Sequence, residues 1–198
     1  TPLYSSAASD VYKRQGCDLV FSHHPALFRP VSTISETSAK GMLLTKAISS
    51  GIAIYSAHTN ADVVIDGVSD TLAKQFGIIG AKPLVYSKDT ASIGGDSRVG
   101  HGRIGELSET VSLGDFARAI AKALPATASG VRVAGDFNQK VKKIAVCGGA
   151  GDDFIPNAQE QGADVYVTSD LRHHITQEAR EESRARNQPM ALIDVSHW

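Results

Sequence analysis

The chain has 198 residues, 42% of them hydrophobic, and its 20 Lys and Arg against 21 Asp and Glu leave a formal charge of −1. That length suffices for a real core, in one large domain or two smaller interlocked ones. The charge balance argues against a dedicated nucleic-acid binder, and no apolar run reaches the roughly 18 residues of a membrane span.

Residues 1–15 (TPLYSSAASDVYKRQ) are polar and fit neither a signal peptide nor one face of a helix, so this stretch reads as non-native or disordered. From Gly16 the punctuation becomes regular. Asp18 to Ser22 reads as a strand that empties into His23-His24-Pro25. Neutral imidazole suits zinc, iron, nickel or copper. Neighbouring strand residues face opposite ways, so a shared metal requires the backbone to turn between the two histidines; otherwise they diverge toward two metals. Pro25 favours such a turn, because it fixes its own φ and biases His24 away from helix. A solvated His pair at a loop mouth is the plain alternative.

Ser38 to Ser50 carries Met42, Leu43, Ala47 and Ile48 at helical spacing, with Gly51 as its stop. Ile52 to Ser56 is a second buried strand, followed by Ala57-His58-Thr59-Asn60-Ala61-Asp62. A helix is expected from there to about Phe76, with Val64, Val68, Leu72 and Phe76 on one stripe. Ser87 to Gly105 is rich in glycine, with Asp89, Asp96, Arg98 and Arg103 between the glycines. Backbone N–H groups in such loops can cradle phosphates, but the spacing matches no phosphate-binding fingerprint, and the segment reads as a mobile surface loop.

Ser112 to Leu124 is a helix with a capping-box-like start. Strand–helix alternation then returns: strand Lys143 to Cys147, the run Gly148-Gly149-Ala150-Gly151, a helix to Gln161, strand Asp164 to Thr168, helix Arg172 to about Arg186, and strand Met190 to Ser196. The expected fold class is α/β, intertwined α/β repeats with largely parallel sheets covered by helices. The divisions are 16–86 for the first repeat, 87–135 for the glycine-rich middle segment and 136–198 for the second repeat, taken as truncated at its C-terminus. An internal echo supports the repeats: Gly16–Ser22 resembles Gly162–Thr168, each with a His pair shortly after, and Ile52–His58 resembles Ala191–His197.

Ligands gather beyond the carboxyl ends of strands in such sheets, and His23, His58, Asp170 and His197 all stand at such ends. Asp62 falls in the first turn of the helix after His58, where a carboxylate is favoured by the helix dipole and can bridge two cations. His197 adds to a mixed His/Asp set suited to divalent ions such as zinc, manganese or iron. His58 is a ligand or, as we favour, a neighbour that orients the ligands. Cys17 and Cys147 are far apart with no CxxC spacing, which fits a reducing, cytoplasmic setting.

Ser22-His23-His24-Pro25, Ala57-His58-Thr59-Asn60-Ala61-Asp62, Gly148-Gly149-Ala150-Gly151, Thr168-Ser169-Asp170-Leu171-Arg172-His173-His174 and Asp194-Val195-Ser196-His197-Trp198 follow one another in an order that resembles the Nif-three-like family, also named GTP cyclohydrolase I type 2 or dinuclear metal-centre proteins. The resemblance covers about Gly16 to Trp198. It implies an α/β fold, a ring-like homohexamer and two divalent metal ions held by His23, His24, Asp62 and His197. A fifth ligand, a Glu four residues beyond His197, is expected past the last residue of this chain, and the family's N-terminal region is expected before Gly16. Asp170 and His174 match a further family motif, with Ser169-Asp170 where the family usually has Gly-Asp; they are general acid/base groups near the metals or a hydrogen-bonded pair capping a helix. The implied activity is metal-dependent hydrolysis of a small molecule, a nucleotide such as GTP. The other reading is a non-catalytic metal-binding or protein-interaction scaffold.

Overall fold

The computed structural model describes residues 15–87 and 98–197. The chain divides into two compact units, Thr1–Ala61 and Asp62–Trp198. The stretch 1–14, most of the supposed non-native leader, lies outside the described residues, as do Gly94, Gly95, Asp89 and Asp96 of the glycine-rich segment.

The first unit is built on a parallel pair, β1 (Leu19–Ser22) and β2 (Ala53–Ser56), in register from Leu19 opposite Ala53 to Ser22 opposite Ser56. Helix α1 (Ala39–Ser49) makes the crossover that a parallel pair requires. Its N-cap is Ser38, whose hydroxyl accepts the Gly41 N–H at 3.0 Å, and it stops before Gly51, which has φ +68°. The buried side of the unit is small, with Leu43, Ala47 and Ile52 at its centre. β2, expected to be buried, is only half covered: Ala53 and Tyr55 are exposed. The short helix α2 (Thr59–Asp62) follows.

The second unit carries a six-stranded mixed sheet in the order β3-β4-β6-β7-β8-β5. Its elements are α3 (Val68–Gln75), β3 (Ile79–Tyr86), β4 (Gly100–Ser112), α4 (Leu113–Ala123), β5 (Arg132–Ala134), β6 (Lys140–Ala150), α5 (Ile155–Glu160), β7 (Val165–Ser169), α6 (His173–Ala185) and β8 (Ala191–Val195). Strands β6, β7 and β8 run parallel, while β3, β4 and β5 join by antiparallel pairing. The class is therefore α/β as expected, with parallel pairing in β1–β2 of the first unit and in β6–β7–β8 of this sheet.

Period-two alternation divides the sheet between two cores. Ile144, Val146, Val165, Val167, Ile193 and Val195 point to one side, against Ala73 of α3, Phe76 just after it, and Phe116 and Ile120 of α4. Ala145, Cys147, Tyr166 and Leu192 point to the other, against Ala158 of α5 and Ala179 of α6. Residues of α3 and Ile78 thus pack into the first of these cores, within the unit that begins at Asp62.

Two further expectations change. The helix anticipated up to Phe76 is interrupted between α2 and α3, where Asp66 adopts φ 60°. The part of the glycine-rich segment from Gly100 onward is strand, not surface loop. Its glycines permit close approach of chains: a Cβ on Gly102 would lie 2.9 Å from the Val146 carbonyl oxygen, and one on Gly105 would lie 2.5 Å from that of Ile79.

Arg103 accounts for both differences. Its guanidinium is 1% exposed and pairs with the Asp70 carboxylate of α3. It also donates to the carbonyls of Gly100 at 2.8 Å, Gly102 at 2.7 Å and Val64 at 3.2 Å. The Gly100 N–H reaches the Val63 carbonyl at 3.0 Å. Backbone carbonyls of residues 63–64 thus serve β4 instead of a helix. Burial alone would raise the Asp70 pKa, but the hydrogen bonds from Arg103 and from the Asp66 N–H, with the Arg103 charge, hold it below the usual carboxylate value.

Removing one partner of a buried, hydrogen-bonded ion pair is strongly destabilising, so Arg103→Ala should lower unfolding stability by about 3 kcal/mol or more in urea titration. Because the folded pKa of Asp70 is depressed, its contribution is complete above the unfolded value of about 3.9 and is lost as pH falls through the lower folded value. Asp70→Asn should therefore flatten the acid limb of stability against pH while lowering stability at neutral pH.

Candidate metal centre

β1 and β2 end side by side, so the residues that follow them are neighbours. The chain bends after Ser22, and His23, His24 and His58 come together. Ring centroids are 5.0 Å apart for His23 and His24, 5.2 Å for His23 and His58, and 5.4 Å for His24 and His58. One nitrogen from each lies within 4.8 Å of the others. The turn that a shared ion requires of consecutive histidines is thus present, and the two rings meet edge to face at 77°.

Ser22 fastens this turn. It is buried, its Oγ donates to the His24 carbonyl at 3.0 Å, and it lies 3.0 Å from the Ser56 Oγ at the end of β2. The Ala57 N–H adds a bond to the Ser22 carbonyl at 2.9 Å, holding the chain into His58. The Phe28 ring stands edge-on to His58 at 5.7 Å, and the Thr59 Oγ1 is 3.4 Å from its Nδ1. Neither Ser22 nor Phe28 was singled out from sequence as a supporting residue. A serine at the end of an apolar strand, immediately before the His pair, is the local signal for the first; for Phe28 there is none.

The donor set fits a divalent ion. Ligand nitrogens of a tetrahedral zinc lie about 3.4 Å apart, given Zn–N bonds of ~2.0–2.1 Å. The three nitrogens, within 4.8 Å of one another, lie near that spacing. Imidazoles alone bring no charge, so a carboxylate would complete such a site.

The remaining candidates stand in the second unit. Asp62 is the last residue of α2, and His197 follows β8 by two residues. Asp170 follows β7 directly, adopts φ 57°, and its Oδ2 lies 2.6 Å from the His197 Nδ1. His197 Nε2 lies 3.4 Å from the place a Gly149 side chain would begin. His174 is in the first turn of α6, its ring edge-on to His173 at 5.5 Å. The idea that Asp170 and His174 form a helix-capping pair does not hold: the N-cap is Arg172, which makes no side-chain cap, and Asp170 bonds to His197.

Burial pushes the Cys147 thiol up to about 11, which keeps it protonated at neutral pH. Burial likewise raises the Tyr166 phenol, which donates to the Gly151 carbonyl at 2.7 Å and orders the run after β6.

Among known proteins, a model of the family described as Duf34/NIF3 (NGG1p interacting factor 3) matches residues 5–198. A Streptomyces coelicolor protein named GTP cyclohydrolase 1 type 2 homolog is 40% identical over 183 residues, covering 92% of this chain and 61% of its own length. A Clostridium perfringens protein of the same name is 33% identical, covering 94% of this chain and 66% of its own. The chain thus spans about two thirds or less of these relatives. A Bacillus cereus protein related to NIF3 has the same fold at TM-score 0.81 and 24% identity, covering 98% of this chain and 76% of that one.

Ser22→Ala removes the hydroxyl that ties His24 to the strand ends. It should weaken zinc binding by about 10-fold in calorimetric titration, at the low end of what loss of a supporting partner costs. The thermal unfolding midpoint should shift by only a few degrees, as for a loss of about 1 kcal/mol.

Proposed function

The chain belongs to the Duf34/NIF3 family, and on that premise we propose that it is a divalent-metal-binding protein with a dinuclear centre, working as a metal-dependent hydrolase on a small molecule of the nucleotide class, GTP included. The observation that carries the metal reading is the convergence of His23, His24 and His58 within 4.8 Å. In this reading His23, His24, Asp62 and His197 supply ligand atoms, with His58 as a further ligand or as the group that steers the other two. The names of the Streptomyces coelicolor and Clostridium perfringens relatives support the choice of GTP as first substrate to try.

Two divalent ions, when bound, supply Lewis acidity and lower the pKa of a water for hydrolytic attack. The chain's own part is to hold imidazole lone pairs in place through the Ser22 bonds and to offset positive charge with the Asp62 carboxylate. His174 is the side chain we assign to proton transfer during turnover, and Asp170 lies at the His197 imidazole. We further propose a homo-oligomeric ring, the hexamer that the family resemblance implies, in a reducing, cytoplasmic setting that keeps Cys17 and Cys147 as thiols. Among the described residues no helix is long and apolar enough to cross a membrane.

A non-catalytic scaffold is the second reading. It is favoured by the exposed apolar side chains of the first unit, Leu19, Phe21, Phe28, Ile48 and Tyr55, with Phe21 and Tyr55 stacked at 5.5 Å.

Elemental analysis after equilibration with zinc or manganese and exhaustive dialysis tests the metal reading. The chain should retain up to two ions, and the variant combining His23→Ala with His24→Ala should lose affinity at least 100-fold. Equal retention by the variant would sink the reading. GTP turnover that needs the metal and disappears with His23→Ala supports the hydrolase; tight metal binding with no turnover supports the scaffold.

A further inference from the structure

The turn after β7 carries one contact across the sheet. Asp170 sits at φ 57°, in the left-handed region that Asp tolerates better than most residues with a Cβ. Its carboxylate is 2.6 Å from the His197 Nδ1. Beside it, Asp194 of β8 pairs with Arg132. On the far side of the imidazole stands Gly149 at φ +74°, where a Cβ would lie 3.4 Å from Nε2. The Thr168 hydroxyl donates to the Gly149 carbonyl at 2.9 Å and keeps that segment in place. Parallel register, Ser169 opposite Val195, brings the two strand ends level so that Asp170 can reach across.

A carboxylate at Nδ1 accepts the N–H of the neutral ring and leaves the lone pair on Nε2. We propose that Asp170 is a positioning residue that fixes His197 in its Nδ1–H tautomer and presents Nε2 as a donor to a divalent metal ion. The inference deepens the metal-centre reading and rests on it for the role of His197. A carboxylate aimed at a ring nitrogen orients that ring as a ligand.

The test uses Asp170→Gly, which keeps the left-handed backbone available and removes only the carboxylate. Long-range proton–nitrogen NMR of the metal-free chain at alkaline pH, with His197 assigned from the spectrum of His197→Ala, reads the tautomer directly. The wild type should show His197 protonated at Nδ1, and Asp170→Gly should shift it toward the Nε2–H form that free histidine favours. Zinc affinity should fall about 10–100-fold in Asp170→Gly, and Asp170→Asn, which keeps an acceptor oxygen, should recover part of the loss. An unchanged tautomer in Asp170→Gly overturns the inference. Zinc affinity that drops for His197→Ala but not for Asp170→Gly overturns the inference and leaves the metal-centre reading standing. Equal affinity in wild type, Asp170→Gly and His197→Ala removes His197 from the centre and the positioning role with it.

Discussion

Parallel strand pairing in register governs where chemistry can occur in this protein. In a parallel pair both strands leave the sheet on the same side, so whatever follows one stands beside whatever follows the other. Each unit contains such a pair with a helix as its crossover: β1 and β2 joined through α1, β7 and β8 joined through α6. In the first, His23 is one residue past Ser22 and His58 is two past Ser56. In the second, Asp170 is one past Ser169 and His197 is two past Val195. The same offsets give the same result, a meeting of polar side chains: two imidazoles at 5.2 Å in one unit and a carboxylate with an imidazole at 2.6 Å in the other.

This correspondence sharpens the echo visible in the sequence. Matching Gly16–Ser22 to Gly162–Thr168 by residue type makes Ser22 the counterpart of Thr168, whereas register, with Ser22 opposite Ser56 and Ser169 opposite Val195, makes Ser169 its counterpart. The one-residue difference arises because apolar strand residues resemble one another, while register is fixed by backbone bonds. The α/β alternation, the strands that precede His23 and His197, the cap at Ser112 and the stop at Gly51 were legible because periodicity, capping side chains and terminal glycines are local signals.

What the sequence hid depends on long-range contacts. β4 looked like a loop because its glycines are usually turn residues, and only the chains pressed against Gly102 and Gly105 explain them. The broken helix before α3 could not be seen without Arg103, whose partners at Val64 and Asp70 are 39 and 33 residues away. Among the site residues, type and strand-end position were readable, but partners were not. Asp170 was matched with His174 nearby in sequence, while the fold joins it to His197, 27 residues on. Ser22 was visible only as part of a motif, although it ties the ends of both strands to the His24 backbone.

The central claim is that the imidazoles gathered at the ends of β1 and β2 bind a divalent ion. Zinc K-edge X-ray absorption on the chain loaded with one equivalent of zinc tests it most directly. The account predicts outer-shell scattering from at least two imidazoles, with nearest nitrogen and oxygen neighbours at ~2.0–2.1 Å, and loss of that scattering when His23 and His24 are both alanine. A spectrum of zinc surrounded by oxygen alone, identical in the wild type and the double variant, would contradict it.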